Sequence, residues 1–245
     1  MLAASDLGPS LVTFPIMLRI LWLDARELTF PACFTQMFFI HTFQIFESAV
    51  ILAMAFDCYM AICQPLHYSS ILTHKVIAKI DITIVLRTMT VHVPLPILLK
   101  GLCFCSYNVL SHSYCLHPDI IKLSCSNTRI NSIFGLCIVL STMSLDFFLI
   151  LLSYVLILNT VLSIASHAGR LKALNTCISH LCAVVLFFTP MICLSMLHRF
   201  GPRLPSHVYV TMANMHFLVS PVMNPIVYVI RDKILKLFFK KQPAE

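Results

Sequence analysis

Apolar residues in this chain come in long unbroken stretches rather than recurring on one face of a helix or strand. Six runs extend approximately over Leu2–Leu23, Phe34–Cys63, Val76–Leu99, Ile133–Ala165, Thr176–Leu197 and Val208–Ile230. A hydrocarbon layer of roughly 30 Å takes about 20 apolar residues in a crossing helix, a length these runs supply. They lack strict period-two alternation and are too long for tilted strands, so the pattern predicts helices rather than a barrel. Pro15, Pro94, Pro96, Pro190, Pro221 and Pro225 fall in or near these spans, where buried neighbours can satisfy the freed carbonyls and kinks are expected. The first run has no basic start and carries Asp6 near its beginning, so it reads as a span rather than a cleaved leader.

Composition agrees with the pattern. At 59% hydrophobic and 11% charged residues over 245 positions, the chain holds more apolar surface than a water-soluble domain can hide. Lys75, Lys79, Arg170, Lys172, Arg231, Lys233, Lys236, Lys240 and Lys241 lie in one set of connections; Arg26, Lys100, Lys122, Arg129, Arg199 and Arg203 lie in the other. The richer set belongs inside, which places the C-terminus in the cytoplasm and, with six spans, the N-terminus as well. The net charge of +7 is dispersed over short loops without a basic-aromatic platform, which argues against nucleic acid as a partner. Between Arg231 and Lys241, Ile234, Leu235, Leu237, Phe238 and Phe239 alternate with lysines, a pattern suited to a short amphipathic helix on the anionic inner leaflet.

Topology sorts the cysteines. Cys33 at the outer start of the second span, and Cys105, Cys115 and Cys125 in the outer loop 100–129, face the oxidising side. One wiring open to them is a loop-internal bridge, Cys105 to Cys125, plus a bridge from Cys115 to Cys33; a zinc site is the alternative, though paired ligand motifs are absent. Cys58, Cys63, Cys137, Cys177, Cys182 and Cys193 read as small packing residues, and Cys103 has no assignment.

Several segments carry a family resemblance. Met54-Ala55-Phe56-Asp57-Cys58-Tyr59, continuing through Gln64-Pro65-Leu66-His67-Tyr68, resembles the end of transmembrane helix 3 of an odorant receptor. Lys172-Ala173-Leu174-Asn175-Thr176-Cys177-Ile178-Ser179-His180-Leu181 is similar to the start of helix 6 in that family. Pro221-Val222-Met223-Asn224-Pro225-Ile226-Val227-Tyr228 is similar to its helix 7 signature, Ser153-Tyr154 to its helix 5 pair, and Leu2-Ala3-Ala4-Ser5-Asp6-Leu7-Gly8 to the middle of helix 2. The outer segment Ser111-His112-Ser113-Tyr114-Cys115-Leu116-His117 and His198-Arg199-Phe200-Gly201 point to the class I, fish-like, branch. The resemblance implies an all-α, rhodopsin-like membrane bundle: one receptor domain over 1–245 holding family helices 2 to 7, with helix 1 missing, a cytoplasmic tail at 231–245 and Met1 inside helix 2.

The resemblance also assigns roles. His41, Gln44, Ile45 and Ser48 recur at i, i+3, i+4 and i+7 on one face of the second span, and their family equivalents line the ligand cavity. Ser195 and Arg199 share a face near the outer end of helix 6. By spacing alone Arg199 reads as a loop residue snorkelling to the headgroups. The family alignment makes it the partner of a small carboxylate, with His117 adding a donor from the loop. Asp6 and Glu47, acids inside apolar spans, match family positions beside Asn224, where the three can hold a sodium ion; two protonated, hydrogen-bonded acids are the alternative. Arg87 and Asp146 are expected to make interhelical polar contacts. Asp57, Cys58, Tyr59, Tyr154, His180 and Tyr228 occupy the positions that couple to a G protein. The family arginine at position 58 ties helix 3 to helix 6 and meets the G protein; a cysteine has neither the charge nor the fork of donors.

The expected function is therefore detection of small, carboxylic acid odorants at the plasma membrane through a stimulatory olfactory-type G protein, with coupling weakened at Cys58. The alternative is a non-signalling truncated remnant, retained in the endoplasmic reticulum or associating with intact receptors. A transporter would show inverted repeats or paired broken helices, and an enzyme would show a nucleophile–base set or a metal motif; the sequence displays none of these.

Overall fold

The computed structural model describes residues 2–24, 27–105, 110, 114–200 and 206–216. Helix α1 (Leu2–Leu23) leads into α2 (Phe30–Cys63), the long central helix on which α1 and several of the later helices pack. A short α3 (Tyr68–Ile71) precedes α4 (His74–His92) and α5 (Pro94–Lys100), which together form one apolar span. In the outer loop lies α6 (His117–Lys122). Then α7 (Arg129–Ile138), a π turn (Val139–Met143) and α8 (Ser144–Ser163) form the next span, followed by α9 (His167–Phe200) and α10 (Ser206–Asn214).

Among the described residues, four helical segments are long and apolar enough to cross a membrane: Phe30–Cys63, His74–Lys100, Arg129–Ser163 and Cys177–Leu197. The first expected span matches α1, with its apolar stretch at Leu7–Leu23. The sixth begins within α10, and its part beyond His216 lies outside the described residues, as does the expected tail helix. Large apolar side chains such as Ile82, Leu86, Phe148 and Val155 point outward, as they do where lipid replaces water as solvent.

Local chemistry sets the helix limits. Pro31 sits in the first turn of α2, where a missing N–H costs no helical bond, and α2 stops at Gln64 because Pro65 disfavours helical backbone in the residue before it. Pro94 lacks the N–H that would continue α4, yet Val93 stays helical, so α5 extends the same span. At the π turn, the Thr142 hydroxyl donates to the Ile138 carbonyl at 2.6 Å. This back-bonding accompanies the widened ladder. Gly8 lets α1 approach α2 closely, since a Cβ there would run into the Phe43 ring. Helix α9 begins nine residues before the apolar run expected for it to cross, because helical bonding continues through polar sequence at its inner end.

The main core joins α2, α8 and α9 through Ile51, Ala55, Ile150, Tyr154, Ile157, Phe187 and Phe188. A second cluster ties the outer loop to the bundle through Tyr114 and Leu116, packed on Ile40 and Leu194.

Candidate functional site

Of the two readings open to the outer cysteines, the structure takes the disulfides: Cys33 pairs with Cys115, and Cys105 with Cys125. The first bridge ties the loop to the outer end of α2, and hydrogen bonds continue the attachment along that helix. Gln36 Oε1 accepts the Cys115 N–H at 3.1 Å, and one turn further in His41 Nε2 accepts the His117 N–H at 3.2 Å. Leu116, His117 and Pro118 are thereby held as the roof of a cavity.

That cavity brings together His41, Gln44 and Ile45 of α2, His92 of α4, Leu95 of α5 and His117 of α6. Gly135 and Ile138 of α7, Val139, Thr142 and Met143 of the π turn, and Met191, Leu194 and Ser195 of α9 complete the lining. Its water-accessible volume is about 90 Å³, room for roughly three waters. Five of the sequence-predicted ligand residues therefore line one space: His41, Gln44, Ile45, His117 and Ser195. Ser48 does not line it. Its hydroxyl is fully buried and donates to Asp146 Oδ2 at 2.8 Å, because its place one turn further in faces α8 rather than the cavity. The Arg199 side chain lies outside the described residues.

A polar relay runs along one wall. His41 Nδ1 lies 2.8 Å from Gln44 Oε1, and Gln44 Nε2 lies 3.0 Å from His216 Nε2. The amide nitrogen can only donate, so His216 Nε2 accepts; the amide oxygen can only accept, so His41 donates from Nδ1 and keeps the Nε2 lone pair for the loop. Gln44 thus orients two imidazoles at once. His92 stacks on His41, with ring centroids 6.2 Å apart and planes 13° from parallel. The His92 ring is buried in the cavity wall, with the Thr88 backbone one turn earlier within hydrogen-bonding reach. Sequence reading missed His92 and His216, because a single histidine in an apolar run carries no spacing signal.

Deeper in the bundle, Arg87 Nη1 lies 2.8 Å from Asp146 Oδ1, the interhelical polar contact expected of the pair. Arg87 Nη2 also donates to the Thr142 carbonyl at 3.3 Å, on the π turn. Glu47 is buried on α2. The side chain of Asp6 and all of Asn224 lie outside the described residues.

At the inner end, the Tyr154 hydroxyl and His180 Nδ1 lie 2.6 Å apart, both buried, joining α8 to α9. Cys58 and Tyr59 are half-buried against the main core. Asp57, which lacks a neighbouring arginine at position 58, accepts a hydrogen bond from the Tyr68 hydroxyl at 2.8 Å, and this bond is the largest cause raising the Tyr68 pKa. The turn at Pro65 brings Tyr68 back beside Asp57, a pairing that sequence reading missed. Tyr228 lies outside the described residues.

A helical membrane bundle with a disulfide-clipped loop roofing a small cavity is the architecture of a rhodopsin-like receptor. The solved structure of squid rhodopsin superposes with a TM-score of 0.72 at 18% identity, covering 93% of this chain and 69% of that one. Residues 1–242 match the olfactory receptor family model. Human olfactory receptor 51L1 is 55% identical over 236 residues, covering 96% of this chain and 75% of the relative; human 51G2 is 54% identical over the same shares. The chain belongs to the olfactory receptor family. It is a multi-pass membrane receptor and not an enzyme, and membership implies a small-molecule ligand and a G-protein partner.

Proposed function

We propose that residues 1–245 act as one odorant-receptor domain of the class I branch, with the 100–129 loop outside and the 231–245 tail inside, detecting small carboxylic acid odorants in the cavity beneath Leu116–Pro118. The observation that carries this reading is the pairing of apolar walls with a few convergent polar side chains, His41, Gln44, His92 and His117. Each hydrogen bond from these groups to a ligand oxygen contributes about 0.5–1.5 kcal/mol. The apolar residues Ile45, Leu95, Ile138, Met143 and Met191 measure the hydrocarbon part of the ligand. Arg199 supplies the charge-assisted contact at the mouth of the cavity.

Transmission is weakened at Cys58. Cys58 offers no cation to the Tyr154–His180 pair or to a stimulatory G protein, so signalling at the plasma membrane is low relative to an arginine-bearing receptor. This same cysteine favours a second reading, in which the chain binds odorant without signalling, retained in the endoplasmic reticulum or associated with intact receptors. Glu47, with Asp6 and Asn224, is assigned to a sodium site; only Glu47 has a described side chain, and its burial in an apolar span suits an ion ligand.

The test is thermal stabilisation of purified protein by small carboxylic acids against matched alcohols and amines. Acids are expected to raise the unfolding temperature, and Arg199→Ala to abolish that rise. An unchanged acid-dependent shift in Arg199→Ala refutes the carboxylate assignment.

A further inference from the structure

We infer that the groove on the lipid-facing side of α2, α4 and α8 is a binding site for an anionic phospholipid of the inner leaflet, with its headgroup at Lys79 and an acyl chain along the groove. Helices α4 and α8 both pack on α2. Ala49 and Ala53, four residues apart on α2, give the groove a low floor of about 780 Å³ in volume, and Leu152 and Leu156 of α8 form one wall. The opposite wall is a stripe of α4: Lys79, Thr83 and Arg87 follow one another at i, i+4 and i+8 and all face the groove. Lys79 and Arg87 are separated by about 12 Å along the helix axis. Arg87 is held by Asp146, so the ion pair closes the deep end while Lys79 stands at the open end.

Charge decides the occupant. None of the groove's lining residues is acidic. Lys75 lies one turn below Lys79, so two cations flank the entrance. Both belong to the connections richer in basic residues, at the end of the bundle opposite the two disulfides, which is the cytoplasmic end. The inner leaflet carries the anionic phospholipids, and a lysine near its surface attracts them by about 1 kcal/mol. An apolar trough with a cation at its headgroup end and no acid along it fits an anionic, double-chained lipid better than a neutral one. This inference is independent of the odorant cavity, which lies toward the opposite end of the bundle.

The experiment places the full chain in phosphatidylcholine nanodiscs containing a trace of phosphatidylserine or phosphatidylcholine, each with the same photoactivatable acyl chain, and maps the cross-linked peptides by mass spectrometry. The phosphatidylserine probe is expected to label segments 49–56 and 149–156 about fivefold more than the phosphatidylcholine probe. Lys79→Gln should erase that preference and Lys79→Arg should keep it. Ala53→Trp, which fills the floor, should lower labelling of these segments by both probes while leaving labelling elsewhere unchanged. Equal labelling by the two probes, labelling confined to other surfaces, or a cross-link between two copies of the chain at this groove would each overturn the proposal.

Discussion

Asp146 joins three helices, and Asp146→Asn isolates what its charge does there. The substitution keeps size and an oxygen for Ser48 but removes the counter-ion 2.8 Å from Arg87. Asp146 is 1% exposed while the Arg87 side chain is 27% exposed. Removing one partner of a fully buried pair costs about 3–5 kcal/mol; the partial exposure of Arg87 places the expected cost near the lower end, about 3 kcal/mol. For a chain of this size that corresponds to a fall in Tm of roughly 6–12 °C. The assay is thermal unfolding in detergent, read as the fraction of monodisperse protein remaining after heating. Arg87→Gln combined with Asp146→Asn should cost less than the two single changes added, because neither charge is then left unmatched. A Tm for Asp146→Asn within about 1 °C of wild type, or a double variant as unstable as the sum of its parts, would refute the pairing as a source of stability.

Three further outcomes follow from the same geometry. Tyr114 donates to Asn214 Oδ1 at 2.8 Å, and burial holds its phenol up at about 12; because the folded-state value is raised, its contribution is fully present below pH ~10 and is lost between ~10 and ~12. Ultraviolet titration should lose a tyrosine titrating at about 12 in Tyr114→Phe. Gln44→Leu uncouples His41 from His216 and should weaken acid binding by about 1–3 kcal/mol, read by the ligand-induced thermal shift, with little loss of fold. Cys33→Ser opens a bridge spanning 82 residues and should destabilise the protein by about 2–5 kcal/mol, read as a lower unfolding temperature that reductant no longer changes at this bridge.

Four of the spans were legible among the described residues because lipid imposes its thickness on apolar runs, and α1 ends where its run ends. The cavity face of α2 was legible for His41, Gln44 and Ile45, since helical spacing puts them on one stripe. Ser48 continues the stripe in sequence but not in the cavity lining, because the neighbour one turn deeper is Asp146. Spacing within one segment is also silent about a partner from another helix. For that reason His92 and His216 went unseen, as did the return of Tyr68 to Asp57 across the Pro65 turn. The π turn at Val139–Met143 leaves no mark in composition; its hydroxyls back-bond to a carbonyl only in the folded helix, where Arg87 takes up the exposed Thr142 oxygen. The long inner reach of α9 was hidden by polar residues that a span-length argument discounts.

Recognition and transmission separate most directly in a cyclic AMP assay over a panel of small carboxylic acids, normalised to surface protein, with wild type and Cys58→Arg measured side by side. The expected result is a weak response from wild type and a clear gain with Cys58→Arg, for the same acids that stabilise the purified protein. A full response from wild type that Cys58→Arg leaves unchanged would contradict the assignment of Cys58 as the point where coupling is lost.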